Sequence, residues 1–205
     1  MKGSRKGSIP PTMQAWLDMA NDDWRPAYPF DCADVTTEVR SNLLSEQRGL
    51  CVYCGRRLKI EIPGSTYHIE HFWPQSVFTQ RAIDYTNLFL SCGLKDENGA
   101  PSPTCGNFKG NWFDEDNYVA PEYPACTLRF RFSLTGEVIP AQDGDQGASN
   151  MIERLHLNHP ELKKDRESIL GMIDLGQLDE SDFFSQDGAA SLAHVAFQHL
   201  GLVLP

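Results

Sequence analysis

His68-Ile69-Glu70-His71-Phe72-Trp73-Pro74-Gln75-Ser76 is the stretch on which the reading of this chain turns. Two cysteine pairs bracket it, Cys51-Val52-Tyr53-Cys54 before it and Cys92 with Cys105 after it. Tyr67–Phe72 reads as a strand, so His68 and Glu70 project from one face and His71 from the other. Where the strand bends into a loop, Glu70 and His71 can still converge on one point. A carboxylate ligand beside an imidazole base is a workable unit for metal-assisted hydrolysis: the ion polarises a phosphate while the imidazole takes a proton from water. A lone buried histidine is more often a hydrogen-bonded structural residue. Position gives this string its weight, between the cysteine pairs and ahead of Asn87-Leu88-Phe89-Leu90-Ser91-Cys92.

The two-residue gap between Cys51 and Cys54 lets both thiolates reach one tetrahedral ion. Cys92 and Cys105 are the natural second pair, although the twelve residues between them are a wide spacing for a zinc knuckle. The bland alternative is four buried free cysteines. Zinc is the stronger reading, because Cys-x-x-Cys followed by two further cysteines is a metal pattern in a reducing compartment. Cys32 and Cys126 have no such spacing and read as ordinary core.

Outward from this centre the chain divides into an N-terminal arm (1–34), a core (35–145) and a C-terminal helical region (146–205). The arm is irregular, with one short helix near Met13–Ala20 and isolated aromatics. Asp34 is expected to cap a helix from Val35 to about Gln47, with Val39, Leu43 and Leu44 at helical spacing and Gly49 ending it. Gly55 stands where a tight metal knuckle needs positive φ. Residues 57–62 read as a short strand turned by Pro63-Gly64, and Asn87–Ser91 as another. Residues 73–86 and 93–104 read as loops, and a short helix starts at Cys105. Leu128–Ser133 and Glu137–Ile139 flank Leu134-Thr135-Gly136, a hairpin signal. Asn158-His159-Pro160 opens one later helix, and Ala189–His199 makes another. The fold class expected is α+β.

Composition sets the outer bounds. The 205 residues carry 18 basic and 28 acidic side chains, a net charge of −10, with 40% hydrophobic residues. That suffices for one real core and excludes a disordered chain. No apolar run is long enough to cross a bilayer, and no apolar segment follows the basic Met1–Lys6, so a soluble cytoplasmic protein is expected. The charge argues against coating nucleic acid over the whole surface. It is uneven: −2 over residues 1–39, +2 over 40–112 and −10 over 113–205. Contact with a polyanion should be local to the middle segment.

Taken together, Cys51-x-x-Cys54, Ile69-Glu70-His71-Phe72-x-Pro74-x-Ser76, Asn87-Leu88 before Cys92, and Cys105-Gly106-Asn107-Phe108-Lys109-Gly110 resemble the HNH endonuclease, or ββα-metal, pattern. The Glu-His-Phe variant, the Thr135–Pro140 hairpin and Leu155-His156-Leu157-Asn158-His159-Pro160 are similar to a bacterial subfamily that includes PtuB, the nuclease of Septu and retron-associated antiphage defence systems. The resemblance covers about residues 39–170. It implies a ββα-metal core with a four-cysteine zinc knuckle, flanked by N-terminal and C-terminal helices.

The resemblance also implies roles. His71 would be the general base and Glu70 the first ligand of a catalytic Mg²⁺ or Mn²⁺. Asn87 would hydrogen-bond the loop backbone and so fix the presentation of His71. Cys51, Cys54, Cys92 and Cys105 would hold a structural Zn²⁺. Lys109, the one cation with a motif behind it, would touch a phosphate; Arg56, Arg57, Lys59 and Arg81 are expected as further phosphate contacts from their charge alone, each singly reading as an exposed solubilising charge. Where the pattern has a ligand directly after the last cysteine, this chain has Gly106. The missing donor would be Asn107, with Asn111 and His68 as the other candidates. The product would be a 5′-phosphate and a 3′-hydroxyl. DNA and a PtuA-like ATPase subunit are the implied partners, with the arm, Phe183-Phe184 and Leu192–Leu204 as candidate docking surfaces. Two other readings stay open: a zinc-stapled binding module without catalysis, and an HNH nuclease that cleaves RNA.

Overall fold

The computed structural model describes residues 1–59, 66–93, 100–185 and 188–205. Helix α1 (Pro11–Asp18) begins on a proline, whose fixed φ suits the first helical position and whose missing N–H costs nothing there. Helix α2 (Ala33–Glu46) buries Val35, Val39 and Leu43 along one stripe. It starts earlier than expected. Cys32 takes the N-cap position without a side-chain cap bond, and Asp34, read as the cap, lies in the first turn instead. There its charge still favours the positive end of the helix.

Strands β1 (Tyr67–His71) and β2 (Leu88–Cys92) pair antiparallel, with His68 opposite Ser91 and Glu70 opposite Phe89. Between them the chain makes two short 3-10 turns, Thr79–Arg81 and Tyr85–Asn87, in the stretch expected to be loop. Helix α3 (Cys105–Lys109) follows, so two strands and a short helix succeed one another around the central motif. The later hairpin is present but shorter than expected, as β3 (Phe130–Phe132) and β4 (Val138–Pro140). Arg166 is buried on helix α5 (Pro160–Asp174), where it donates to Gly136 O at 2.6 Å and Leu157 O at 2.7 Å. That ties the hairpin turn to the helix.

Helix α4 (Gln146–Arg154) is capped by the Asp145 carboxylate, which accepts from Ala148 N–H. A short helix α6 (Glu180–Phe183) opens with a capping box between Asp179 and Asp182. The last helix, α7, runs only over Ala193–His199, because Gly188–Ala189 pairs with Phe184–Ser185 as a small ladder first (β6 and β5). Half of the expected strand over 57–62 lies outside the described residues, as does half of the loop at 93–104. Arg57 itself bridges to Leu50.

One core cluster runs from Met13 and Trp16 through Val39 and Leu43 to Cys51, Tyr53, Leu90 and Leu155. The first residues pack onto it: Lys2 N–H and Gly3 N–H bond to the carbonyls of Tyr53 and Val52 at 3.0 and 2.7 Å. From the other end, Leu192 N–H donates to Gly55 O at 2.7 Å. The cysteine knuckle is therefore gripped by both ends of the described chain. No helix among the described residues is long and apolar enough to cross a membrane.

Candidate metal centre and active site

The four thiols of Cys51, Cys54, Cys92 and Cys105 converge, every pair of sulfurs lying within 4.8 Å. Cys54 Sγ and Cys92 Sγ are 3.6 Å apart. A tetrahedral ion with metal–sulfur bonds of about 2.3 Å sets its sulfurs about 3.8 Å apart, so the cluster has the right size for one ion such as zinc. The wide gap before Cys105 is bridged by the fold: β2 delivers Cys92, and α3 begins at Cys105 with φ +59°. Two backbone N–H groups point at sulfur, Arg56 to Cys54 at 3.5 Å and Cys92 to Cys51 at 3.4 Å. Such donors stabilise thiolate. Burial pushes the Cys51 thiol up, but hydrogen bonds from Cys105, Cys54 and Cys92 outweigh it and hold it well below its ordinary range. Cys126 lies apart, buried against the carbonyl of Lys2.

Gly55 has φ +74°, as the tight knuckle requires, and the His194 ring fills the space a Cβ would need. The cluster thus sits on α7 as well as on the central hairpin.

On β1 the register sets Glu70 in the interior, 7% exposed. Its Oε1 accepts from Tyr53 Oη and from Lys109 Nζ, both at 2.9 Å. Its Oε2 lies 3.2 Å from His68 Nε2. Burial raises the Glu70 pKa, but the Lys109 ammonium and the His68 contact prevail and bring it down to about 2. Glu70 is a carboxylate at any physiological pH.

Lys109 does not reach outward. Its ammonium is buried between Glu70 and the His71 carbonyl, 3.1 Å away. Of the other cations read as phosphate contacts, Arg56 is tied to Asp165 at 2.6 Å and Arg57 donates to Ala189 O at 3.1 Å. Lys59 is exposed. Arg81 lies over the Trp73 ring at 4.2 Å, beside the loop that carries the His71 partner.

That partner is the Ala82 carbonyl, 2.9 Å from His71 Nε2. A carbonyl oxygen only accepts, so Nε2 carries the proton and Nδ1 is left with the lone pair. Burial, the largest influence, holds the His71 pKa below its ordinary value, so the ring is neutral near pH 7. Asn87 ties the same loop. Its Oδ1 accepts from Trp73 N–H at 2.7 Å, and its Nδ2 donates to Trp73 O and Arg81 O, both at 3.0 Å. The carbonyl next after Arg81 O is the one that holds His71.

Gly106 explains the crowding on the other side of Glu70. A Cβ there would collide with Glu70 Oε2 and come within 2.8 Å of His68 Nε2. The space beside residue 106 is thus occupied by two donors from β1. Adjacent ligands of one ion at about 2.1 Å lie about 3.0 Å apart, and the 3.2 Å between Glu70 Oε2 and His68 Nε2 is of that size. The Nδ1 of His68 is buried without a partner among the described residues. Asn107 is half-buried on α3 and Asn111 is exposed beyond its end.

Two residues of this site carried no signal in the sequence. Tyr53 sits inside the Cys-x-x-Cys spacer and reads there as filler, yet its hydroxyl reaches Glu70. Tyr28 comes from the aromatic segment before α2, and its ring meets His71 edge-on at 4.5 Å. Neither has a fixed sequence distance from its partner.

No family model matches this chain. It is 26% identical over 146 residues to a Vibrio cholerae serotype O1 biovar El Tor protein named "Retron Vc95 putative HNH endonuclease". The match covers 67% of this chain, and the chain spans 65% of the length of that relative. The likeness supports an HNH-type nuclease, and the α+β arrangement of small sheets, helices and a four-cysteine cluster fits one.

Proposed function

We propose that this chain is a metal-dependent endonuclease of the HNH type that hydrolyses phosphodiester bonds in DNA. The observation that carries the reading is His71: its Nε2 proton is fixed on Ala82 O, its Nδ1 lone pair is free to take a proton, and it adjoins a carboxylate held ionised. Glu70 Oε2 and His68 Nε2 are the donors best placed for a Mg²⁺ or Mn²⁺ ion, and Asn107, next to Gly106 on α3, is the candidate third donor. When bound, such an ion supplies Lewis acidity at the scissile phosphate. Lys109 and Tyr53 occupy Oε1 and so direct Oε2 outward. His71 takes the proton of the attacking water, and Asn87 keeps the loop from withdrawing the Ala82 carbonyl. With Lys109 buried on Glu70, and Arg56 and Arg57 bonded to Asp165 and Ala189 O, Arg81 is the cation best placed for phosphate.

The reading extends to biology through the retron named in the relative and through the resemblance to the PtuB nucleases: a nuclease subunit in antiphage defence, working with an ATPase partner. The acidic surface fits a nuclease that another subunit brings to DNA.

The test is plasmid cleavage with Mn²⁺ or Mg²⁺, comparing wild type with His71→Ala at equal zinc content. Cleavage by wild type alone supports the reading, and full activity in the variant overturns it. If neither cuts, the assay is repeated with the ATPase subunit added. Continued silence then favours a zinc-stapled binding module. An RNA substrate in parallel separates the two nucleic acids.

A further inference from the structure

A cavity of about 280 Å³ lies where the end of α2 meets the first residues and the last. Its lining includes Lys2, Arg5, Arg48, Ser45, Glu46 and Tyr123. None of these belongs to the metal centre or to the His71 site. The two guanidiniums lie over aromatic rings, with Cζ 5.3 Å from the Tyr123 centroid for Arg5 and 4.6 Å from the Phe184 centroid for Arg48. Neither has an acidic partner among the described residues. A guanidinium parked on a ring keeps its N–H edge open, and that edge matches the oxygens of a phosphate or carboxylate.

Glu46, the one acidic side chain in the lining, is already committed. Its Oε1 accepts from Tyr85 Oη at 2.8 Å and Gly7 N–H at 2.9 Å, and its Oε2 pairs with Lys6 at 3.1 Å. Lys6 lies outside the lining, and neither Arg5 nor Arg48 is paired with Glu46. Lys2 is buried, its Nζ donates to Gln47 O at 2.7 Å, and burial brings its pKa down to about 7, so the two arginines carry the charge of the site. Two guanidinium forks and a serine hydroxyl around one space match a group with several oxygens, a phosphate better than a single carboxylate. The volume is at the lower end for small-molecule sites, enough for a phosphate and little more than the sugar behind it.

We propose that this cavity binds a phosphate monoester, separately from the nuclease site. The inference stands whether or not the chain cuts DNA. One chemistry has two sources here, a free mononucleotide or the 5′-phosphate end of a nucleic-acid strand.

The test is calorimetric titration of the zinc-loaded full chain with four probes: inorganic phosphate, adenosine 5′-monophosphate, a 5′-phosphorylated oligodeoxynucleotide and its 5′-hydroxyl twin. At least one phosphate-bearing probe binds, and Arg5→Ala or Arg48→Ala weakens it by about tenfold or more, as loss of a charge-assisted pair requires. His71→Ala binds like wild type. Melting temperature and zinc content show that each variant is folded, and Arg5→Lys, which keeps charge but not the fork, falls between. Adenosine monophosphate binding identifies the free nucleotide, and binding of the phosphorylated strand alone identifies the strand end. No binding by any probe at millimolar concentration overturns the proposal. So does binding that ignores both arginines or does not distinguish the two oligonucleotides while phosphate and nucleotide fail to bind.

Discussion

Lys109 Nζ stands 2.9 Å from Glu70 Oε1, with both side chains out of water. The pair joins α3 to β1 and fixes which carboxylate oxygen remains for a ligand. Removing one partner leaves a buried charge alone, at a cost of about 3–5 kcal/mol. Lys109→Met should lower the unfolding free energy from urea titration by that order, and adding Glu70→Gln to it should recover part of the loss. Strict additivity of the two changes in a double-mutant cycle would show that they do not interact.

Gly106 is tested from the same side. Its missing Cβ makes room for the Glu70 and His68 donors. Gly106→Ala should cost about 1–3 kcal/mol through overpacking. It should also weaken Mn²⁺ binding in a spin-resonance titration, while the four-cysteine zinc stays bound. Unchanged Mn²⁺ affinity would remove Glu70 and His68 as the ion's donors.

Asn87 makes three hydrogen bonds to the backbone of the loop after β1. Asn87→Ala leaves those groups without partners, a loss of about 2–4 kcal/mol if each contributes about 1. Asn87→Asp keeps the acceptor for Trp73 N–H but replaces both donors. It should therefore cleave no better than the alanine variant while melting differently from it.

Metal content provides a direct count. Elemental analysis of protein purified without chelator should give one zinc per chain. Cys54→Ser should lose it and melt far lower, since structural zinc is folding free energy. Cys32→Ser and Cys126→Ser should retain it.

His194 is buried on α7 against the knuckle, its Nδ1 without a partner among the described residues, and burial holds its pKa well below the ordinary value. The unfolded chain therefore takes up a proton that the folded chain refuses. Stability is full above the unfolded pKa of about 6.5 and falls as pH drops below it, by up to about 1.4 kcal/mol per pH unit. His194→Leu should flatten that slope by one proton in urea titrations between pH 5 and 8. An unchanged slope would place the uptake elsewhere.

Much of the centre was legible in the sequence. Cys51-x-x-Cys54 has a spacing that geometry constrains, and the later pair could be joined to it by chemistry alone. The alternation on Tyr67–Phe72 put His68 and Glu70 on one face, where the structure has them 3.2 Å apart. Helix ends were less legible. Asp34 has the right chemistry for a cap, yet the helix begins on Ala33, because local preferences of a few tenths of a kcal/mol to about 1 yield to packing of Val35 and Val39. Ala189 was read into the last helix, but it pairs with Phe184 first.

By itself the sequence determined residue types and their short spacings: thiols able to share an ion, a carboxylate beside an imidazole, an asparagine ahead of the second strand. Those depend on distances within a few residues. Only the tertiary structure decided what each side chain faces. It turned Lys109 inward to Glu70, brought Tyr53 and Tyr28 to the site, filled the space at Gly106 with donors from β1, and left Arg5 and Arg48 around one cavity. Such pairings join segments tens of residues apart. They follow from which faces the core buries, a property of the whole chain rather than of any stretch of it.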